Sequence, residues 1–103
     1  MADESIGALI ERLARQAGEV TATDTPAGRA YSRTGQPFAL VATEALELRL
    51  RPDIAEAARR TPATSASDRG PEWIRFAPPT IDRHALDRAA AWFLIAWRAA
   101  GDA

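Results

Sequence analysis

The chain has 103 residues, 47% of them hydrophobic and 26% charged, with a formal net charge of −1 and no cysteine. That length supports one hydrophobic core, so residues 1–103 read as a single domain. The composition is that of a globular rather than a disordered chain, and the lack of cysteine excludes a disulfide scaffold or a thiolate site. Near-neutral charge excludes a global field that would draw the chain onto nucleic acid or acidic lipid.

Every one of the 13 basic residues is arginine. A GC-rich coding sequence, which also enriches alanine, explains this better than a recognition role. The N-terminal MADESIGALIERL is charged and amphipathic rather than a signal peptide, and no apolar run approaches a membrane span. The cytoplasm is the expected location.

Asp3 and Ser5 compete as the N-cap of a first helix. Ile6, Leu9, Ile10, Leu13 and Ala17 follow one helical face, Glu11–Arg15 is an i,i+4 ion pair, and Gly18 is the stop. Glu19–Thr23 is rich in β-branched residues and predicts a first strand. Turn chemistry at Asp24–Gly28 leads to a second strand, Arg29–Arg33, closed by Thr34–Pro37.

The stretch Pro37–Arg60 is the nucleus. Phe38–Ala42 is apolar throughout, and residues 43–45 make a short turn. Leu46, Leu48 and Leu50 then alternate with Glu47 and Arg49, so leucines line one face. Pro52 opens a second helix, which Arg59 and Arg60 close. Thr61–Gly70 has no large apolar residue and reads as a mobile loop. Glu72–Phe76 predicts a fifth strand, and Thr80 or Asp82 caps a last helix that runs to about Ala100 and stops at Gly101. The order α-β-β-β-β-α-β-α predicts a two-layer α+β domain: an antiparallel sheet of about five strands with helices on one face.

Several of these stretches together resemble one family. They are Gly-Gln-Pro-Phe-Ala at the start of the hairpin, the Leu-Glu-Leu-Arg-Leu strand, the helix opened by Pro52-Asp53, and Glu72-Trp73-Ile74-Arg75-Phe76 before the closing helix. From about Gly28 to Ala100 the chain resembles the MmcQ/YjbR proteins, with Trp73 and Ala96-Trp97 where that family often carries such residues. The resemblance implies a frataxin-like α+β fold and a DNA-binding label attached largely by analogy. The N-terminal domain of TfoX-type competence regulators offers a similar hairpin.

No constellation of catalytic residues stands out. His84, the single histidine, lies beside Asp82 and Asp87 in a first helical turn, where an exposed surface residue is expected. The carboxylate pairs Asp3/Glu4, Glu44/Glu47, Asp53/Glu56 and Asp82/Asp87 are scattered, and no motif places a nucleophile, a metal set or a phosphate-cradling loop. The expectation is a non-enzymatic domain without metal or cofactor.

Two surfaces carry the functional expectation. If Leu46, Leu48, Leu50, Ile74 and Phe76 face the helices, then Glu47, Arg49, Trp73 and Arg75 face away. Arg29, Tyr31 and Arg33 join them if their strand keeps the same sense. Such a face could stack bases and contact phosphates, although cross-strand pairing on a solvated face is the plainer reading. On the last helix Leu86, Ala89, Ala90, Phe93, Ala96, Trp97 and Ala100 form the core stripe, with Trp92 and Ile95 on its flank. The first helix covers that flank, or else it is a partner surface or the wall of an apolar ligand site. The first reading is therefore a nucleic-acid or other macromolecule-binding module using Arg29, Tyr31, Arg33, Arg49, Trp73 and Arg75. The alternative is a small-molecule-binding or self-association module, such as a homodimer, built on Trp92, Ile95 and Trp97.

Overall fold

The computed structural model describes residues 5–43 and 45–102. Asp3, the competing cap, the pair Asp3/Glu4, and Glu44 of the Glu44/Glu47 pair lie outside the described residues.

Helix α1 (Ile6–Ala17) is capped by Ser5, whose hydroxyl accepts from the amide of Ala8 at 3.0 Å, and it ends at Gly18 with φ of 80°. Strands β1 (Val20–Thr25), β2 (Gly28–Arg33), β3 (Gln36–Val41) and β4 (Leu46–Arg49) follow as an antiparallel meander. At the β1–β2 turn a Cβ on Gly28 would collide with the carbonyl oxygen of Val41, so only glycine fits. Helix α2 (Pro52–Ala58) begins with Pro52 in its first turn. Strands β5 (Thr64–Ala66) and β6 (Trp73–Phe76) precede α3 (Arg83–Gly101), which Asp82 caps through the amide of Ala85 at 2.9 Å.

The sheet has six strands in the order β1-β2-β3-β4-β6-β5, all antiparallel. The α+β class and the element order agree with the sequence reading, with one strand added. That strand, β5, occupies part of the stretch expected to be a loop. It is held by its backbone ladder to β6 and by the amide of Ala77 donating to Ala63 O at 2.9 Å. A three-residue edge strand buries little, so it needs no large apolar residue and leaves no periodic signal.

The helices share one face of the sheet. Helix α3 lies over β2, β3 and β4, with α1 beside it, and α2 packs near β6. Ile10, Leu46, Leu48, Ala55, Ile74, Phe76, Ala89 and Phe93 are fully buried in one contiguous core. Between Tyr31 and Ser32 the β2–β3 register skips Phe38, a β-bulge on β3. The extra residue turns Phe38 to the helix side next to Ala39, where its ring lies 5.2 Å from that of Phe93. Among the described residues no helix lies on the opposite face of the sheet. Among the described residues no helix is long and apolar enough to cross a membrane.

Candidate functional site

The uncovered face is built by alternation along β4 and β6. Leu46 and Leu48 point into the core opposite Phe76 and Ile74, so Glu47 and Arg49 point outward opposite Arg75 and Trp73. Two ion pairs and a hydrogen bond tie this group together. Arg49 donates to Glu72 at 3.2 Å, Ser67 donates from its hydroxyl to Glu47, and Arg69 lies 3.8 Å from the same carboxylate. The Arg69 guanidinium also sits 5.6 Å from the Trp73 ring centre. Arg75 is exposed and makes no ion pair among the described residues. A polar depression of about 270 Å³ opens here, lined by Glu47, Asp68, Arg69 and Arg75. Arg69 lies outside the residues expected in this face; β5, in the stretch expected to be a loop, pairs with β6 and brings it there.

Arg29, Tyr31 and Arg33 lie on the other side of the sheet. Tyr31 pairs with Ala39, which pairs with Leu48, so all three share the helix face. The segment Arg-Ala-Tyr-Ser-Arg explains the reversal. Its small residues, Ala30 and Ser32, face outward, while the tyrosine ring and the arginine stems cover core surface. Tyr31 is 1% exposed and meets Phe93 edge to face at 6.1 Å. Its hydroxyl donates to Glu11 Oε1 at 2.8 Å, and Arg29 bridges the same oxygen to Asp24, which it reaches at 2.8 Å. Burial, then the bond to Glu11, pushes the phenol up to about 12. The Tyr31 and Arg29 hydrogen bonds hold the Glu11 carboxyl below its usual range, and Asp24 and Glu11 raise the Arg29 guanidinium. Glu11 also keeps the expected contact with Arg15, at 3.6 Å.

Arg33 performs a different closure. Its guanidinium lies 3.7 Å from the Trp97 ring centre, and Nη1 donates to the carbonyl of Trp97 at 2.9 Å. A third partner, Glu19, accepts from Nη2 at 2.8 Å.

Trp92, Ile95 and Trp97 do not form one surface. Trp92 and Trp97 occupy opposite flanks of the buried stripe Ala85, Ala89, Phe93, Ala96 and Ala100. Trp92 meets Phe76 edge to face at 5.3 Å. Trp97 donates from Nε1 to Gly18 O at 3.0 Å, at the end of α1. The first helix therefore meets the Trp97 flank, whereas β6 meets the Trp92 flank. Ile95 lies beside Ile54 of α2 in a shallow groove. His84 is exposed. Among the described residues no group of three or more His, Cys, Asp or Glu side chains could hold a metal ion.

No family model, curated protein or solved structure matches this chain.

Proposed function

We propose that the chain is a non-enzymatic binding module of the MmcQ/YjbR type that receives a macromolecule, single-stranded nucleic acid foremost, on the open face of its sheet. The observation that carries this reading is Trp73, set on an uncovered sheet face among Arg49, Arg69 and Arg75. Of the six residues expected there, the reading keeps Arg49, Trp73 and Arg75, and it gains Arg69. A base stacks on the indole in place of Arg69, and phosphates take the freed guanidiniums. Arg49–Glu72 and Arg69–Glu47 are partly exposed pairs, worth at most about 1 kcal/mol each, so a phosphate exchanges with them readily. The same carboxylates, with a net charge of −1, make the affinity modest and steeply salt-dependent.

The test is fluorescence anisotropy of labelled single-stranded DNA and RNA at low salt. Binding should fall as salt rises, and Arg75→Glu with Trp73→Ala should weaken it by about tenfold or more while the melt is retained. No binding at low salt would remove nucleic acid as the partner.

A further inference from the structure

Two adjoining depressions lie against the last turns of α3, one beside β3 and β4 and the other beside α2. One, of about 220 Å³, has an apolar floor of Phe38, Leu50 and Ala96 and a charged rim that includes Arg49 and Arg51. The other, of about 270 Å³, is formed mainly by Ile54, Ile95 and Ala99, with Arg98 at its edge. Arg51, Ala99 and Asp102 belong to both, so the two are one groove divided by a single side-chain pair. Together they reach the size range of small-molecule sites, about 300–1,000 Å³.

We propose that this groove binds a small amphipathic anion, a medium-chain carboxylate, with its head on Arg51 and its tail along Ile54, Ile95 and Ala99. Charge complementarity identifies the occupant. Among the described residues, the arginines Arg49, Arg51 and Arg98 line the two depressions, against the acidic residues Glu72 and Asp102. Among the described residues the ion pair of Arg51 is with Asp102 at 3.6 Å, and both side chains are mostly exposed, at 62% and 70%. That carboxylate occupies the position a ligand head would take, and it is the looser of the two rim pairs, since Glu72 holds Arg49 at 3.2 Å. A ligand carboxylate therefore displaces Asp102 from Arg51, and its chain removes the exposed parts of Ile54 and Ile95 from water. A neutral tail lacks the head contact, and a short carboxylate lacks the tail contact.

This inference does not rest on the sheet-face reading, with which it shares the Arg49–Glu72 pair. The experiment is an NMR titration of the full chain with decanoate below its micelle concentration, with acetate and decanol as controls. Decanoate should give saturable shifts at the methyls of Ile54, Ile95 and Ala99, and each control should bind at least about tenfold more weakly. Arg51→Gln should weaken decanoate by about tenfold, and Asp102→Asn should tighten it several-fold by removing the competing carboxylate. Both positions are exposed, and an unchanged methyl spectrum outside the groove confirms the fold. Trp73→Ala with Arg75→Glu should bind decanoate as wild type does, so failure of one reading leaves the other standing. Shifts that do not saturate, decanol binding as tightly as decanoate, or Arg51→Gln binding unchanged would overturn the proposal.

Discussion

The phenol of Tyr31, on the second strand, donates to Glu11 of the first helix at 2.8 Å, closing a link between two elements twenty residues apart. The ring is buried against Phe93 and the hydroxyl is spent on a carboxylate that also takes Arg29. Folding therefore changes how tightly both groups hold their protons.

The Tyr31 phenol rises from 10.0 to about 12, so the folded chain holds its proton more tightly than the unfolded chain. The resulting stability is fully present below about pH 10 and is lost as the pH climbs towards 12. Glu11 works in the opposite sense. Its lowered value contributes stability above its ordinary 4.5, which is lost as the pH falls through the folded value. Tyr31→Phe should cost about 0.5–1.5 kcal/mol at neutral pH and flatten the alkaline decline. Urea melts of both proteins across the alkaline range check this, and an equally steep decline in the variant would contradict the link.

The register of β4 gives a second prediction. Leu48 is fully buried between Ala39 and Ile74, so Leu48→Ala should cost about 2–5 kcal/mol. Glu47 accepts from Ser67 and faces Arg69, so Glu47→Ala should cost about 1 kcal/mol and loosen the β5–β6 hairpin. Denaturant melts with amide exchange at Ser67 separate the two effects; equal costs would refute the register.

The meander, the leucine strand and the capped closing helix were legible because period and cap chemistry act locally. Leu46 and Leu48 announce an inward face, and Asp82 announces a helix start. The half of the candidate site on β4 and β6 followed from that alternation. The half on β2 did not, because Arg29, Tyr31 and Arg33 look like an outward polar face until their stems and ring are seen covering the core. Glu11, twenty residues upstream of Tyr31, makes that inward placement possible, and no local pattern shows such a partner. The bulge at Phe38 and the strand β5 are likewise set by pairing with neighbours rather than by their own residues.

Trp92 has a predictable place in the monomer. Its ring meets Phe76 at 5.3 Å and Arg88 lies 5.8 Å from its centre, so truncation removes packing under α3. Trp92→Ala should cost about 3 kcal/mol in a chemical melt, as removing a large packed aromatic does. If Trp92 anchored a second copy instead, the loss would appear in sedimentation as dissociation with little change in the melt. His84→Ala, at an exposed position, should change the melt by less than about 0.5 kcal/mol and serves as the baseline.

Arg33 and Trp97 give the last prediction. The guanidinium lies 3.7 Å from the ring centre, donates to the backbone carbonyl of the same residue, and has a side chain only 17% exposed. Trp97 in turn donates to Gly18, so one stacked pair joins the second strand, the end of the first helix and the last helix. A lysine keeps the charge but cannot lie flat on the indole while reaching Glu19 and the carbonyl together. Arg33→Lys should therefore cost about 1 kcal/mol or more, where an exposed cation would be nearly neutral. Trp97→Phe keeps a ring but gives up the bond to Gly18, so it should cost a further amount on its own. Because the two residues touch, the double variant should be less destabilised than the separate losses predict, by about 0.5–2 kcal/mol. A double-mutant cycle read by urea melts measures that coupling directly. Additive losses would mean that Arg33 acts through Glu19 and the Trp97 backbone carbonyl and that the indole is only packing.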